Sequence, residues 1–184
     1  MAFRFYGKLD ANLLQRAITI IIERHESLRT TVGEDDAGRP RAVIQPAAEF
    51  QLPRHQIHID NEAHYQRDLK AAIDEYALRP FDLQQGPLYR FDLLDISGAV
   101  EPHRVLVICL HHMISDGLSQ NLLVREIALL YAAGLQGAPS PLPPLPVQYP
   151  DFAAWQRQQL TGERLQQELD FWRRQLAGVP ALLA

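Results

Sequence analysis

The sequence lacks several features that mark specialised classes of protein. It contains one cysteine, Cys109, so no disulfide can form within the chain, and it has no apolar run of the roughly 20 residues that a bilayer crossing requires. Basic residues are not in excess, since 18 Lys and Arg stand against 22 Asp and Glu, a formal net charge of -4. We therefore expect no membrane insertion and no nucleic-acid binding, because phosphate backbones are bound through clustered positive charge.

The remaining composition is typical of a globular protein. The chain has 184 residues, of which 47% are hydrophobic and 22% charged, enough to bury one sizeable core. Residues 1–6 show no cleavable apolar leader, and with the single cysteine this predicts a cytoplasmic protein.

The spacing of apolar residues predicts helices and strands that are intermixed along the chain. Helices are expected over about 11–24, 62–79, 118–133, 151–160 and 163–176, with Asp10 and Asn61 capping the first two. Strands are expected at 3–6, 28–32, 41–45, 89–96 and 104–110, the last two as antiparallel neighbours. This order predicts an α/β fold, a two-layer sandwich in which helices pack on a mixed, mostly antiparallel sheet.

Several residues receive ordinary structural assignments. The proline-rich connector 138–150 is expected to be extended and irregular. Trp155 and Trp172 are expected to pack their helices down, and Leu122, Leu123, Ile127, Leu130 and Tyr131 to face inward from the third helix. His55, His58 and His64 are predicted to be surface histidines, and Cys109 to be a core side chain.

The segment with the clearest chemical content follows the almost wholly apolar strand 105–110. That strand is expected to be central and covered on both faces, and it leads directly into His111-His112-Met113-Ile114-Ser115-Asp116-Gly117. Alternation along a strand sends neighbouring side chains to opposite faces, so His111 and His112 are expected to have separate roles. By spacing alone, a pair of hydrogen-bonded structural histidines is an equally good interpretation.

Two other chemistries fit this segment poorly. A zinc site shared by His112 and Asp116 lacks a third nearby ligand, so no metal is expected. Ser115 lacks the Gly-x-Ser-x-Gly elbow that exposes a serine nucleophile.

Four segments together resemble the condensation domains of nonribosomal peptide synthetases, members of the chloramphenicol acetyltransferase-like superfamily. Residues 24–30 (Arg-His-Glu-Ser-Leu-Arg-Thr) are similar to the family's Arg-His-Glu-x-Leu-Arg-Thr motif, and residues 111–117 match its central His-His-x-x-x-Asp-Gly motif. Residues 80–90 and 148–156 resemble two further family segments, in the family's order. Leu118 stands where many peptide-bond-forming members have Trp. The family's first helix and second lobe lie outside the sequence, so an amino-terminal lobe is expected over 1–184.

The resemblance implies an activity and a set of partners. An acyl or peptidyl thioester on a donor peptidyl carrier protein would be attacked by an amine on an acceptor carrier protein, and an amide bond would form. No cofactor is expected to bind this chain, because both substrates arrive on the carriers' phosphopantetheine arms. The second lobe of the domain is an expected partner, and the isolated lobe is expected to be inactive.

The resemblance also implies roles for individual residues. His112 is expected to face the substrate tunnel and to orient or deprotonate the attacking nitrogen, while His111 is expected to be structural. Asp116 is expected to form an ion pair with Arg29 that aims His112, with Arg24 as further support of the motif. Gly117 is expected to allow close backbone approach and to offer its N–H to the carbonyl oxygen.

Three alternatives remain open at the sequence level. An epimerization domain shares the fold and the central motif, and a lone lobe is also compatible with a non-catalytic scaffold or carrier-docking module. A free-standing acyltransferase of the chloramphenicol acetyltransferase type would complete its site across a trimer, but its motif lies near the carboxyl end, whereas some 67 residues follow Gly117 here.

Overall fold

The computed structural model describes residues 1–180 and divides into two compact units, Met1–Leu145 and Pro146–Ala184. The boundary falls within the proline-rich connector. The first unit contains β1 (Ala2–Phe5), α1 (Ala11–Arg24), β2 (Thr30–Glu34), β3 (Pro40–Ile44), β4 (Arg54–Ile59), α2 (Tyr65–Ala77), β5 (Tyr89–Gly98), β6 (His103–Leu110) and α3 (Gly117–Leu135). The second contains α4 (Tyr149–Gln159) and α5 (Gly162–Gln175).

The main sheet has four strands in the order β1-β6-β5-β4. β6 pairs antiparallel with both β1 and β5, and β4 pairs parallel with β5. β2 and β3 form a separate antiparallel hairpin. The fold is therefore the predicted mixed, mostly antiparallel sheet with helices packed on it.

Helices cover the sheet on both faces, so a helix layer lies on each side of it and the arrangement differs in this respect from the predicted two layers. α1 and α3 pack on one face, where Leu106 and Ile108 of β6 point, and α2 packs on the other, where Val105 and Val107 point. All four of these β6 side chains are buried, which confirms that the strand is central and covered on both faces. Because β6 is held by a strand on each side and a core on each face, its carboxyl end is a fixed point.

Local signals in the sequence account for most element boundaries. Asp10 accepts hydrogen bonds from the Asn12 and Leu13 backbone N–H groups, the N-cap arrangement that was predicted for α1. Asn61 accepts from Ala63 N–H and begins the short 3-10 helix Glu62–His64 that leads into α2. The predicted strand at 28–32 instead starts at Thr30, because Glu26–Arg29 form a 3-10 turn.

The strand β4 was not predicted, and its presence changes the role of one histidine. His55 on β4 is half-buried and has a partner: its Nε2 lies 2.9 Å from Oδ1 of the buried Asp92 on β5. Its ring also lies 4.3 Å from the ring of Tyr76 on α2, centroid to centroid. His58 and His64 are exposed, as predicted.

Other apolar side chains also differ from the expectation. Leu122 is 46% exposed, although Leu123, Ile127 and Leu130 on the same helix are buried. Cys109 is half-buried against the α2 face, and desolvation by burial raises the pKa of its thiol.

The second unit begins with a cap and a proline. Asp151 accepts from the Gln148 backbone N–H in a capping box, and Pro150 occupies the first turn of α4, where its missing N–H costs nothing. Trp155 and Trp172 are each 54% exposed, so the prediction that they pack their helices down was wrong. Of the helices in the described part, none is long and apolar enough to cross a membrane.

Candidate active site

The His-His-x-x-x-Asp-Gly segment forms a turn between β6 and α3 that is anchored at both ends. At its start, the His111 backbone N–H donates to the Leu88 carbonyl at 2.9 Å. The turn closes through a bond from Ile114 N–H to the His111 carbonyl at 3.1 Å, and the Ile114 side chain is buried in the core beneath α1 and α3. The backbone at residues 112 and 113 is therefore held between a sheet hydrogen bond and a buried anchor.

The two histidines lie in different surroundings. The half-buried ring of His111 meets the ring of Phe81 edge to face, with centroids 5.9 Å apart, and its Nδ1 accepts the Met113 backbone N–H at 3.2 Å. The His112 side chain is exposed, and within residues 1–180 no hydrogen bond, ion pair or ring contact holds its imidazole. An exposed imidazole on an anchored turn is available to a ligand as donor or acceptor.

Asp116 begins the helix that follows the turn. Its Oδ1 accepts from both the backbone N–H and the hydroxyl of Ser119, at 2.8 and 2.6 Å. These bonds lower the pKa of the Asp116 carboxyl, and the bond from the Ser119 hydroxyl has the largest effect. Gly117 is the first residue of α3, and a Cβ built there would meet no atom within 4 Å, so the space around it is open.

The predicted ion pair between Arg29 and Asp116 is not formed, and this expectation was wrong. Arg29 donates instead to the carbonyls of Ile22 at 3.2 Å, Glu23 at 3.4 Å and Gln45. Ile22 and Glu23 lie in the last turn of α1, where carbonyl groups have no partner within the helix. Arg29 therefore caps α1 and ties it to the end of β3, while Asp116 has its own partner in Ser119.

Arg24, at the end of α1, makes a contact that the sequence did not indicate. Its Nε is 3.3 Å from Oε2 of Glu126 on α3, and Nε2 of His25 is 2.7 Å from the same oxygen. Glu126 is only 6% exposed. Arg24 thus connects α1 to α3, the helix that follows the motif.

Four residues close to the turn were not predicted as site residues. Phe81 contacts His111, Arg90 contacts Phe81, and Ser119 and Glu126 lie on the helix that follows the turn. Ser119 had a local signal, since an Asp at a helix start accepts the backbone N–H of the residue two or three positions later. Glu126 also had one, because it falls between Leu123 and Leu130 on the buried stripe of α3. Phe81 and Arg90 belong to the recognised segment 80–90, but no local rule pairs them with position 111.

The surface beside the sheet contains a groove. A cavity of about 550 Å³ lies beside the part of β5 that β4 does not pair, and its lining includes Arg29, Tyr89, Arg90 and Asp92. Neither histidine of the turn is among its described lining residues. Among residues 1–180, no three His, Cys, Asp or Glu side chains are grouped as metal ligands.

Comparisons with known proteins give this arrangement a family. The family model for the condensation domain matches residues 1–184. A linear gramicidin synthase from Brevibacillus parabrevis is 40% identical over 100% of this chain, which corresponds to 2% of that protein. Phosphinothricin tripeptide synthetase PhsB of Streptomyces viridochromogenes is 38% identical over 99% of this chain and 15% of its own length.

Solved structures of related domains have a similar fold. The X-domain from teicoplanin biosynthesis superposes with a TM-score of 0.83 at 30% identity, and the match covers 97% of this chain and 38% of that one. The epimerization domain from the third module of tyrocidine synthetase B shares the fold, with a TM-score of 0.75 at 20% identity over 41% of its length. The chain thus spans a small part of its curated relatives and about two fifths of these structures. On its sequence, its fold and its histidine turn, this chain belongs to the condensation-domain family of nonribosomal peptide synthetases.

Proposed function

We propose that this chain is the amino-terminal, motif-bearing part of a condensation enzyme that joins a carrier-bound acyl or peptidyl thioester to a carrier-bound amine. The observation that carries the proposal is the exposed His112 imidazole on a turn whose two ends are anchored. The family match supports acyl transfer as the class of reaction, and the relatives include synthetases of peptide products.

Proton removal by His112 contributes less to the reaction rate than the positioning of the two substrates does. An α-amino group with a pKa of about 7.7–8.0 is already about a quarter free base at physiological pH. Removal of a proton from the zwitterionic adduct by a general base contributes about 10²–10⁴-fold in rate. Holding amine and thioester at attack distance contributes roughly 7–11 kcal/mol, which is the larger effect.

His112 and Gly117 have complementary parts in this scheme. His112 accepts the amine proton, or a hydrogen bond from the amine, as the nitrogen adds to the thioester carbonyl. The tetrahedral adduct then collapses with cleavage of the C–S bond, and the thiolate of the donor's phosphopantetheine arm leaves and takes up a proton. The Gly117 N–H lies at the start of α3, where the helix dipole favours negative charge on the carbonyl oxygen. The open space around Gly117 supports approach of a substrate backbone to this point.

We propose that the substrates arrive on phosphopantetheine arms of donor and acceptor carrier proteins, and that a second lobe completes the site. The X-domain structure, of which this chain covers 38%, supports the need for a second lobe. To position two phosphopantetheine arms, a protein surface is needed on each side of the histidine turn, and this chain supplies one of these surfaces. We therefore expect little or no amide formation by the chain alone.

A non-catalytic docking role is the second candidate. It is favoured by the similarity to the teicoplanin X-domain, a relative that has also been seen in complex with OxyB. An exposed His112 is compatible with that role too, since docking does not require any particular group at position 112.

Reconstitution distinguishes the two candidates. The chain is incubated with an acyl-loaded and an aminoacyl-loaded carrier, with and without a co-expressed second lobe, and products are followed by mass spectrometry. We expect amide formation only with the second lobe present, and a loss of about 10²–10⁴-fold for His112→Ala.

The matched control is His64→Ala, which removes another exposed histidine far along the chain from the motif. It should leave the rate unchanged. An epimerised aminoacyl carrier as product would support the epimerization alternative. Carrier binding without any reaction in the two-lobe assembly would favour the docking role, and robust turnover by the isolated monomer would refute the requirement for a second lobe.

A further inference from the structure

We propose that Arg90 and Phe81 are positioning residues for the histidine turn. In this arrangement Arg90 fixes the segment that carries Phe81, the Phe81 ring fixes the imidazole of His111, and His111 in turn holds the backbone that presents His112. The role of this chain of contacts in amide formation rests on the proposed function. The contacts themselves do not depend on the proposed function.

The first link is the guanidinium of Arg90, which closes the end of α2. It donates to the carbonyls of Ala77 at 3.5 Å, Pro80 at 3.3 Å and Arg79. Ala77 is the last residue of α2, and carbonyls at a helix end lack partners within the helix and favour positive charge. One side chain on β5 therefore determines the course of residues 77–81 after the helix ends.

The second link is the ring of Phe81. The Arg90 Cζ lies 3.8 Å from the Phe81 ring centroid, well within the distance at which a cation interacts with a π face. The same ring meets His111 at an interplanar angle of 89°, the edge-to-face geometry that aromatic pairs favour. Phe81 is thus held between the guanidinium of Arg90 and the imidazole of His111.

The strand register places Arg90 close to the turn that it influences. Arg90 is opposite Cys109, and Tyr89 is opposite Leu110, the last residue before the turn. The Leu88 carbonyl then accepts the His111 N–H. Within residues 88–90, the Leu88 carbonyl therefore binds His111 directly, and the Arg90 side chain acts on His111 through Phe81.

The third link is the His111 ring, whose orientation determines a backbone hydrogen bond. Nδ1 accepts the Met113 N–H at 3.2 Å, so the single ring proton lies on Nε2. A rotated ring would present carbon to the Met113 N–H and lose that bond. Because Met113 follows His112 directly, loss of the bond loosens the residue on which the proposed chemistry depends.

The contacts are tested by NMR on the 184-residue chain without any reaction. In the wild type, long-range nitrogen correlations should show His111 with its proton on Nε2. In Arg90→Met we expect a mixture of tautomers and a Met113 amide that exchanges roughly tenfold faster, the effect of losing one ordinary hydrogen bond. Wild-type tautomer and exchange in this variant would overturn the proposal.

The matched control is Arg79→Met. The Arg79 guanidinium also lies over an aromatic ring, that of Tyr76 at 4.7 Å, but its side chain does not contact Phe81 or His111. The Arg79 carbonyl, which accepts from Arg90, is kept in this variant. Its replacement removes the same charge and should leave the His111 tautomer unchanged. If Arg79→Met shifts His111 as much as Arg90→Met does, the effect is one of general charge or stability and the proposal fails.

A second pair of variants tests the aromatic ring without removing the arginine. Phe81→Tyr keeps both ring contacts, and Phe81→Leu keeps apolar bulk while removing the ring. We expect wild-type His111 signals in the first variant and Arg90→Met-like signals in the second. Equal behaviour of the two variants would contradict a role for the ring.

The catalytic arm uses the chain with its co-expressed second lobe. Arg90→Met and Phe81→Leu should lower kcat for amide formation by about 10- to 100-fold, the effect of a misplaced reacting group, with KM for both carriers unchanged. If the wild type forms no amide, the proposed function fails while the NMR result stands. If it does and the variants keep its kcat, the positioning role is refuted.

Discussion

At the residue scale, the motif contains three side chains with three separate environments. His111 is held by an aromatic ring and a backbone N–H, His112 is exposed, and Asp116 caps a helix. Asp116 therefore contributes to the turn by ordering the start of α3, without an arginine partner. A carboxylate at this position also lies where the helix dipole favours negative charge.

The Asp116 cap predicts a specific dependence on pH. Because the pKa of Asp116 is lowered in the folded chain, the stability it contributes is complete above its ordinary pKa of about 3.9 and is lost as pH falls through the lowered value. Ser119→Ala removes the hydroxyl donor that lowers this pKa most. We expect the pKa of Asp116 to rise towards its ordinary value and the melting temperature at pH 7 to fall by a few degrees.

Carbon NMR titration of the aspartate side chains measures this shift directly. Asp35 provides an internal control, since its pKa is lowered by hydrogen bonds from Arg39 and Ala37 in a distant turn. The pKa of Asp35 should not move. An unchanged Asp116 in the Ser119→Ala spectrum would show that the hydroxyl bond does not act as described.

At the element scale, the sheet and its helices follow rules that operate within a few residues, and β4 shows where those rules stop. Residues 54–59 contain two histidines, an arginine and a glutamine, and only Ile57 and Ile59 are aliphatic, so the alternation that predicts a strand is short and weak. The strand forms because β5 offers a parallel edge and because Ile59 enters the core beneath α2. Pairing with a strand more than 30 residues away outweighed the weak local preference.

The contact between α1 and α3 yields a prediction at this scale. Glu126 is buried and approached by both Arg24 and His25, so its removal leaves Arg24 without its charge partner on α3. Glu126→Ala should lower the free energy of unfolding by about 3–5 kcal/mol, measured by urea denaturation.

The control for this variant is Glu75→Ala. Glu75 is paired with Arg79 on the surface, where half or more of each side chain is exposed, and its loss should cost about 0–1 kcal/mol. Similar costs for the two glutamates would show that the buried contact contributes no more than a surface pair. If Glu126→Ala leaves the free energy of unfolding nearly unchanged, the contacts of Arg24 and His25 with Glu126 do not stabilise the packing of α3 on α1.

At the scale of the whole molecule, all buried residues among the described positions 1–180 belong to the first unit. Both buried clusters, from the α1 and α3 face and from the α2 face, consist of residues within Met1–Leu145. No residue of α4 or α5 is buried. Folding of the first unit should therefore not depend on the second.

A chain shortened after Leu145 tests this expectation. It should unfold in a single cooperative transition, with a free energy of unfolding within about 1 kcal/mol of the full chain, because none of the side chains at 146–180 is buried. Circular dichroism with urea measures both quantities. A broad or absent transition would show that residues 146–184 are needed to complete the fold of the first unit.

The sequence alone determined what depends on neighbours along the chain, and the tertiary structure decided the partners. The Asp10 cap, the apolar alternation of β6 and the histidine segment at its end follow from residues a few positions apart, so they were predictable, as was the family. The partners of His25 and His55 were not, since His25 and Glu126 are separated by 101 residues and His55 and Asp92 by 37. A charged side chain binds whichever donors or acceptors packing brings within about 3 Å, and only the folded chain determines which those are.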